Sequence, residues 1–218
     1  MSEHDFGDLT VDGFFDALGS DAPTPGGGSG AAVAAAMGAT LVRMLAVLTV
    51  GRKKYAEHEP LMQAIAEQAQ EEREKLMVLA SEDAGAYAAV TRAFELPQET
   101  DEEKAARTQA IQIAMKGACD VPLKIMEHCC EVIALAKNAV LYGNVNAVSD
   151  GAAGAELARA ALRIASYNVR TNLGSIEDAE YVQQARGRMD EMNHMGTGAA
   201  TFVDSHVQST WSAEGANA

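Results

Sequence analysis

The chain reads as all-α: a single-domain bundle of long, small-residue-rich helices. Three observations predict it. Aromatic residues make up 5% of the 218 positions and hydrophobic residues 48%, so the core is built from Ala, Leu, Val, Ile and Met. Such a core suits close-packed helices better than a β-sandwich, which leans on aromatic and β-branched residues. No segment alternates apolar and polar residues between hairpin turns. Finally, small residues recur at helical spacing, and capping residues stand where helical patterns begin. No linker, repeat or low-complexity block divides positions 1–218, and a loose polar tail is expected from about 211.

The elements follow in order. A short amphipathic helix over 10–18 takes Thr10 as its cap, with Leu9, Phe14, Phe15 and Leu18 as its apolar face. Next comes Pro23-Thr24-Pro25-Gly26-Gly27-Gly28-Ser29-Gly30. Its prolines fix φ and its glycines permit backbone approaches that side chains block. The run feeds a helix over about 29–50, for which Ser29 is one candidate cap. Gly30, Ala34 and Gly38 form a row of small residues that lets a partner helix come close, within the chain or across a dimer. Pro60 suits the first turn of a helix over 60–94, where Glu71 to Lys75 read as a solvated face. Thr100 and Glu103 form a capping box for the next helix, which Pro122 kinks or restarts. A loop at 142–146, a small-residue helix over 149–173 and a last helix from about Glu177 complete the chain. That last helix is expected to fade near Gly196 and Gly198 or beyond.

The net charge of -14 leaves no broad basic surface, which argues against nucleic acid and against an acidic membrane surface as partners. The stretch 31–50 is apolar, but Arg43 and Gly38 interrupt it and a buried helix is expected. The acidic start, 1–8, lacks the basic region of a signal peptide. Cys119, Cys129 and Cys130 give no disulfide framework and point to a reducing compartment, the cytoplasm. They read as buried structural thiols. The five histidines lack ligand-like spacing, so no metal is expected.

Five features could carry chemistry. Gly26, Gly27, Gly28 and Ser29 stand at a helix start, where free N–H groups suit a polar or anionic ligand; a plain capping loop is the alternative. Arg52-Lys53-Lys54 is the one run of three cations, either a dock for an anion or a favourable response to a helix C-terminus. Asp83 lies among Ala84, Gly85 and Ala86. If it faces an apolar surface, desolvation raises its pKa and suits it to acid–base work; if not, it is an ordinary exposed carboxylate. Asn144, Asn146 and Asp150 cluster at a helix start, where Asp150 or Ser149 could be a cap. Asn168 and Asn172 share one helix face, although Asn is a poor helix former.

Taken together, these features resemble the cyclodeaminase/cyclohydrolase family of folate enzymes. The matching pieces appear in order: Pro-Thr-Pro-Gly-Gly-Gly-Ser at 23–29, Thr-Val-Gly-Arg-Lys-Lys-Tyr at 49–55 and Glu-Asp-Ala at 82–84. Leu-Pro at 96–97, Asp-Glu-Glu-Lys-Ala-Ala-Arg at 101–107, Asp-Val-Pro-Leu at 120–123 and Gly-Asn-Val-Asn-Ala-Val-Ser-Asp at 143–150 follow, then Asn168, Val169 and Asn172. The resemblance implies a homodimer acting on tetrahydrofolate that carries a one-carbon unit, with Asp83 as the catalytic acid/base. It implies substrate contacts at Gly26, Gly27, Gly28, Ser29, Arg52, Lys53, Tyr55, Asn144, Asn146, Asp150, Asn168 and Asn172. Arg52 and Lys53 would attract the glutamate tail of a polyglutamylated folate. No metal or other cofactor is implied. The expected reaction is hydrolysis of 5,10-methenyltetrahydrofolate to 10-formyltetrahydrofolate, favoured over formiminotetrahydrofolate cyclodeamination because the chain carries no transferase domain. A non-enzymatic helical scaffold is the remaining alternative.

Overall fold

The computed structural model describes residues 6–215. Six helices account for the fold: α1 (Val11–Leu18), α2 (Gly27–Val47), α3 (Glu59–Phe94), α4 (Asp101–Tyr142), α5 (Val148–Leu173) and α6 (Ala179–Gly215). Short 3-10 turns fill Phe6–Asp8, Lys53–His58 and Val145–Ala147. No strand occurs among the described residues.

α2 is the axis of the bundle. It packs on both α3 and α5, while α4 closes the core behind it and α6 lies across α4 and α5. Its apolarity and length would let it cross a membrane, yet eleven of its residues are buried against these neighbours. Close packing depends on glycine where α2 crosses α5. A Cβ on Gly38 would lie 2.7 Å from the carbonyl oxygen of Gly154, and one on Gly154 equally close to that of Gly38. Of the expected row, then, Gly38 makes the tight crossing, whereas Gly30 only faces the side chain of Leu18.

Several local signals act as the sequence indicates. Thr100 accepts from the N–H of Glu103, whose carboxylate accepts in turn from the Thr100 N–H. Thr10 caps α1 through the N–H of Gly13. Gly51 adopts φ 77°, the left-handed turn that carries the chain away from α2.

Other expectations are corrected. Ser29 does not cap α2; the N-cap is Gly26, and Ser29 is fully buried within the first turn. Only Phe14 of the α1 face is buried, while Phe15, Leu9 and Leu18 are exposed. Glu72 is buried, not solvated, because it is bound by His128 Nδ1 at 2.6 Å and Lys75 Nζ at 2.8 Å. Pro122 lies inside an unbroken α4. α6 continues through Gly196, Gly198 and Trp211 to Gly215, and the rest of the expected tail, with His4 and the chain start, lies outside the described residues. The cysteines are unpaired; Cys119 and Cys129 are buried, Cys130 partly so. Burial pushes the Cys130 thiol up to about 11, with Glu131 and Glu127 adding to the rise.

Candidate active site

Gly26 has no side chain with which to cap α2, and the carboxyl of Asp83 reaches that place from α3. A Cβ on Gly28 would fall 2.5 Å from Asp83 Cγ, so only glycine leaves room for the carboxyl against the first turn. Ser29 Oγ lies 2.9 Å from the Ala80 carbonyl oxygen and 3.1 Å from Asp83 Oδ2. Burial pushes the Asp83 carboxyl above its ordinary value; the hydroxyl and backbone N–H of Ser29, by bonding the charged form, pull it partly back. A carboxyl held in this way keeps a proton to higher pH than a solvated aspartate and can both take one up and release it.

Asp83 opens onto a cavity of about 310 Å³ at the junction of α2, α3, α4 and α5. Of the residues selected from the sequence, Gly26, Gly27, Gly28, Asp83, Asn168 and Asn172 line it. Asn172 Nδ2 donates to the Ala118 carbonyl at 2.7 Å, and Asn168 Nδ2 to the Ile164 carbonyl at 3.3 Å. A carbonyl can only accept, so each amide nitrogen is fixed and each amide oxygen remains as an uncommitted acceptor. The Ala118 carbonyl is free for a definite reason. Its helical donor would be the N–H four residues on, and that residue is Pro122, which has none. The Asp-Val-Pro-Leu motif therefore creates the acceptor that orients Asn172.

Ser29, expected as a substrate contact, is fully buried beside Asp83 and does not line the cavity. The other selected residues gather at the far end of α2, about 30 Å away by helix rise. Arg52, Lys53, Tyr55, Asn144 and Asn146 border a second hollow of about 350 Å³. Most of their hydrogen-bonding capacity is spent on the fold. Asn144 is buried; its N–H donates to Thr49 Oγ1, its Nδ2 to the Leu48 carbonyl, and its Oδ1 accepts from Asn146. The Tyr55 hydroxyl accepts from the Val145 N–H, and Arg52 Nε donates to the Leu48 carbonyl at 2.6 Å. Asp150 lies in the first turn of α5 and lines neither hollow. Lys53 and Asn146 remain exposed. Among the described residues, no three His, Cys, Asp or Glu side chains group to hold a metal.

The sequence matches the formiminotransferase-cyclodeaminase family over residues 10–191. The chain belongs to this family. It is 43% identical over 178 residues to a methenyltetrahydrofolate cyclohydrolase of Methylorubrum extorquens, a match covering 82% of this chain and 86% of that one. It is 30% identical over 185 residues to the formimidoyltransferase-cyclodeaminase of Rattus norvegicus, 85% of this chain but 34% of that longer one. The fold is similar to that of a formiminotetrahydrofolate cyclodeaminase from Thermotoga maritima, with a TM-score of 0.85 and 28% identity over 94% of this chain and 98% of that one.

Within this family member, sequence reading missed part of the cavity wall. Tyr87, Val90, Met115 and Ala118 also line it, with Pro23 and Thr24 at the loop. Tyr87 was legible in principle, because it follows Asp83 by four residues and so shares its helix face. Met115 and Ala118 come from α4, and nothing in their local sequence separates them from core residues.

Proposed function

We propose that the chain hydrolyses 5,10-methenyltetrahydrofolate to 10-formyltetrahydrofolate, reversibly, with Asp83 moving the proton. The observation that carries this reading is the seating of Asp83, desolvated and buttressed by Gly28 and Ser29, at a cavity where Asn168 and Asn172 each keep an amide oxygen free. The methenyl bridge is a cationic amidinium carbon. No Lys or Arg lines the cavity, and the free oxygens of Asn168 and Asn172 with the carboxylate suit such a cation. Water adds to the bridge carbon as Asp83 accepts its proton. The tetrahedral carbon then opens: its bond to one folate nitrogen breaks as that nitrogen takes the proton from Asp83. The carbinol hydroxyl loses its own proton to the freed carboxylate, and from there to solvent, as the C=O of the formyl product forms. Neither step moves electrons to an acceptor, so no cofactor is invoked. The 43% identity to a cyclohydrolase, matched along most of both chains, supports hydrolysis in particular.

Cyclodeamination is the second reading, favoured by the likeness to the Thermotoga maritima cyclodeaminase. The two share a tetrahedral carbon and differ in what leaves. One paired assay separates them: methenyl absorbance falls with a cyclohydrolase, whereas formimino substrate gives rising absorbance and ammonia with a cyclodeaminase. No absorbance change with either substrate would sink both.

The working unit in this reading is a homodimer in the cytoplasm, with neither nucleic acid nor membrane as partner. The unpaired cysteines and the net charge of -14 support this. Met37, Thr40, Met44 and Val47 are exposed along one side of α2, and an antiparallel pairing of two such stripes would cover them. That pairing would bring Arg52 and Lys53 of one copy toward the Asp83 cavity of the other, where a polyglutamate tail would emerge. Sedimentation gives the mass. Mixing Asp83→Asn with an Arg52→Ala, Lys53→Ala double variant tests the sharing. Only a mixed dimer then joins an intact Asp83 to an intact cationic turn, and a fraction of sites with the wild-type KM for polyglutamylated folate requires two half-sites to combine.

A further inference from the structure

Ser29 is a fully buried hydroxyl with two oxygen neighbours and one hydrogen. The Ala80 carbonyl stands 2.9 Å from Oγ, and Asp83 Oδ2 stands 3.1 Å from it. Ala80 lies inside α3, where its carbonyl already accepts the helical N–H of Ala84. It can take the hydroxyl proton as a second donor or do without it. Asp83 Oδ2 has no such freedom. An ionised carboxylate needs a donor from Ser29, and a protonated carboxyl needs an acceptor.

We propose that Ser29 is a positioning residue whose hydroxyl turns with the protonation state of Asp83. With the carboxylate ionised, Oγ–H points at Oδ2. With the carboxyl protonated, Oγ–H points at the Ala80 carbonyl, and Asp83 donates its proton to the Oγ lone pair. One rotation about the Cβ–Oγ bond links the two states, and no heavy atom moves. The carboxyl therefore stays in hydrogen-bonded register on the first turn of α2 both before and after it takes a proton. This inference rests on the reading of Asp83 as the proton carrier and adds the device that lets it cycle in place.

The surroundings isolate the pair. α4 offers Met115 and Ala118 to the cavity, α5 offers Asn168 and Asn172, and the loop offers Pro23 and Thr24. Tyr87 is the other titratable group facing it, and Glu82, next in sequence, is exposed. The pull of burial on Asp83 is thus answered by Ser29 rather than by a neighbouring charge.

The test is a 13C NMR titration of the aspartate side-chain carboxyls in wild type and Ser29→Ala, with Asp83→Asn identifying the resonance. Alanine is shorter and favours helix, so the fold is retained. A hydrogen bond to the charged form is about twice as strong as one to the neutral form, so losing the hydroxyl costs the ionised state more. The expected result is an upward shift of the Asp83 midpoint by about one pH unit, roughly a tenfold gain in proton affinity. The acid limb of kcat/KM moves with it. An unmoved midpoint overturns the proposal, even if Ser29→Ala is less stable. Failure of the underlying reading looks different: Asp83→Asn would then keep near-normal turnover.

Discussion

The two ends of α2 hold the same kinds of residue and use them differently. At the N-terminal end, Gly26 supplies no cap and Asp83 fills the gap from α3, with a cavity in front of it. Asn168 and Asn172 keep an oxygen free there. At the C-terminal end, Arg52 and Asn144 both bond the Leu48 carbonyl, and Tyr55 ties down the 3-10 turn at Val145. The difference teaches that a polar residue type does not make a site. Hydrogen-bonding capacity left over and aimed at a cavity makes one, and saturated capacity makes a clamp.

The largest expected effect separates the ends outright. Asp83→Asn should lower turnover by about 10²- to 10⁴-fold, the range for losing a general acid/base, with the helical circular dichroism unchanged. The same variant should melt higher than wild type at pH 7. Burial raises the folded pKa of Asp83 above its unfolded value near 3.8, so its stabilising contribution is complete below that value and is lost as pH rises through the folded pKa. At pH 7, above the unfolded value, that contribution is reduced, and the advantage of Asn should shrink on acidification. A variant that melts lower at pH 7 would contradict the desolvation argument.

Gly28→Ala should come next. Its Cβ would collide with the Asp83 carboxyl, so turnover should fall by about 100-fold or more even though Ala favours the helix. Gly27→Ala is its control, since a Cβ there meets its nearest atom, Asn168 Nδ2, at 3.9 Å. Equal losses in both variants would mean that the loop acts through backbone freedom and not through room for the carboxyl.

Asn144→Ala tests the other end. It strips a buried hub of two side-chain hydrogen bonds, at about 1–3 kcal/mol for each partner left unsatisfied, and should lower Tm with little change in KM. A raised KM at constant Tm would turn that clamp into a binding residue. Pro122→Ala should be gentler. It restores an N–H that competes with Asn172 for the Ala118 carbonyl, so KM should rise a few-fold while stability holds or improves. The smallest effect is expected from Arg52→Ala with Lys53→Ala, which should raise KM more for polyglutamylated folate than for the monoglutamate. Equal KM values for the two substrates would remove the tail-docking role.

Much of this was legible from the chain alone. Composition, the capping box at Thr100 and the glycine row fixed an all-α bundle, because these signals act through local geometry and overall packing volume. The ordered motifs marked Asp83, the glycine loop and both Asn pairs as notable, yet their order could not say which of them meet. That is a matter of distance. The stretch of α3 from Glu59 to Asp83 carries that carboxyl back to the start of α2, and α5 returns Asn168 and Asn172 to the same point, while the equal-looking loop at Asn144 is carried to the opposite end. Ser29 shows the division in one residue. The sequence offered it as a helix cap, since Ser before a helical run satisfies free N–H groups. The tertiary structure placed Asp83 there instead and turned Ser29 inward, so that a hydroxyl read as a cap became the partner of the carboxyl that does the capping.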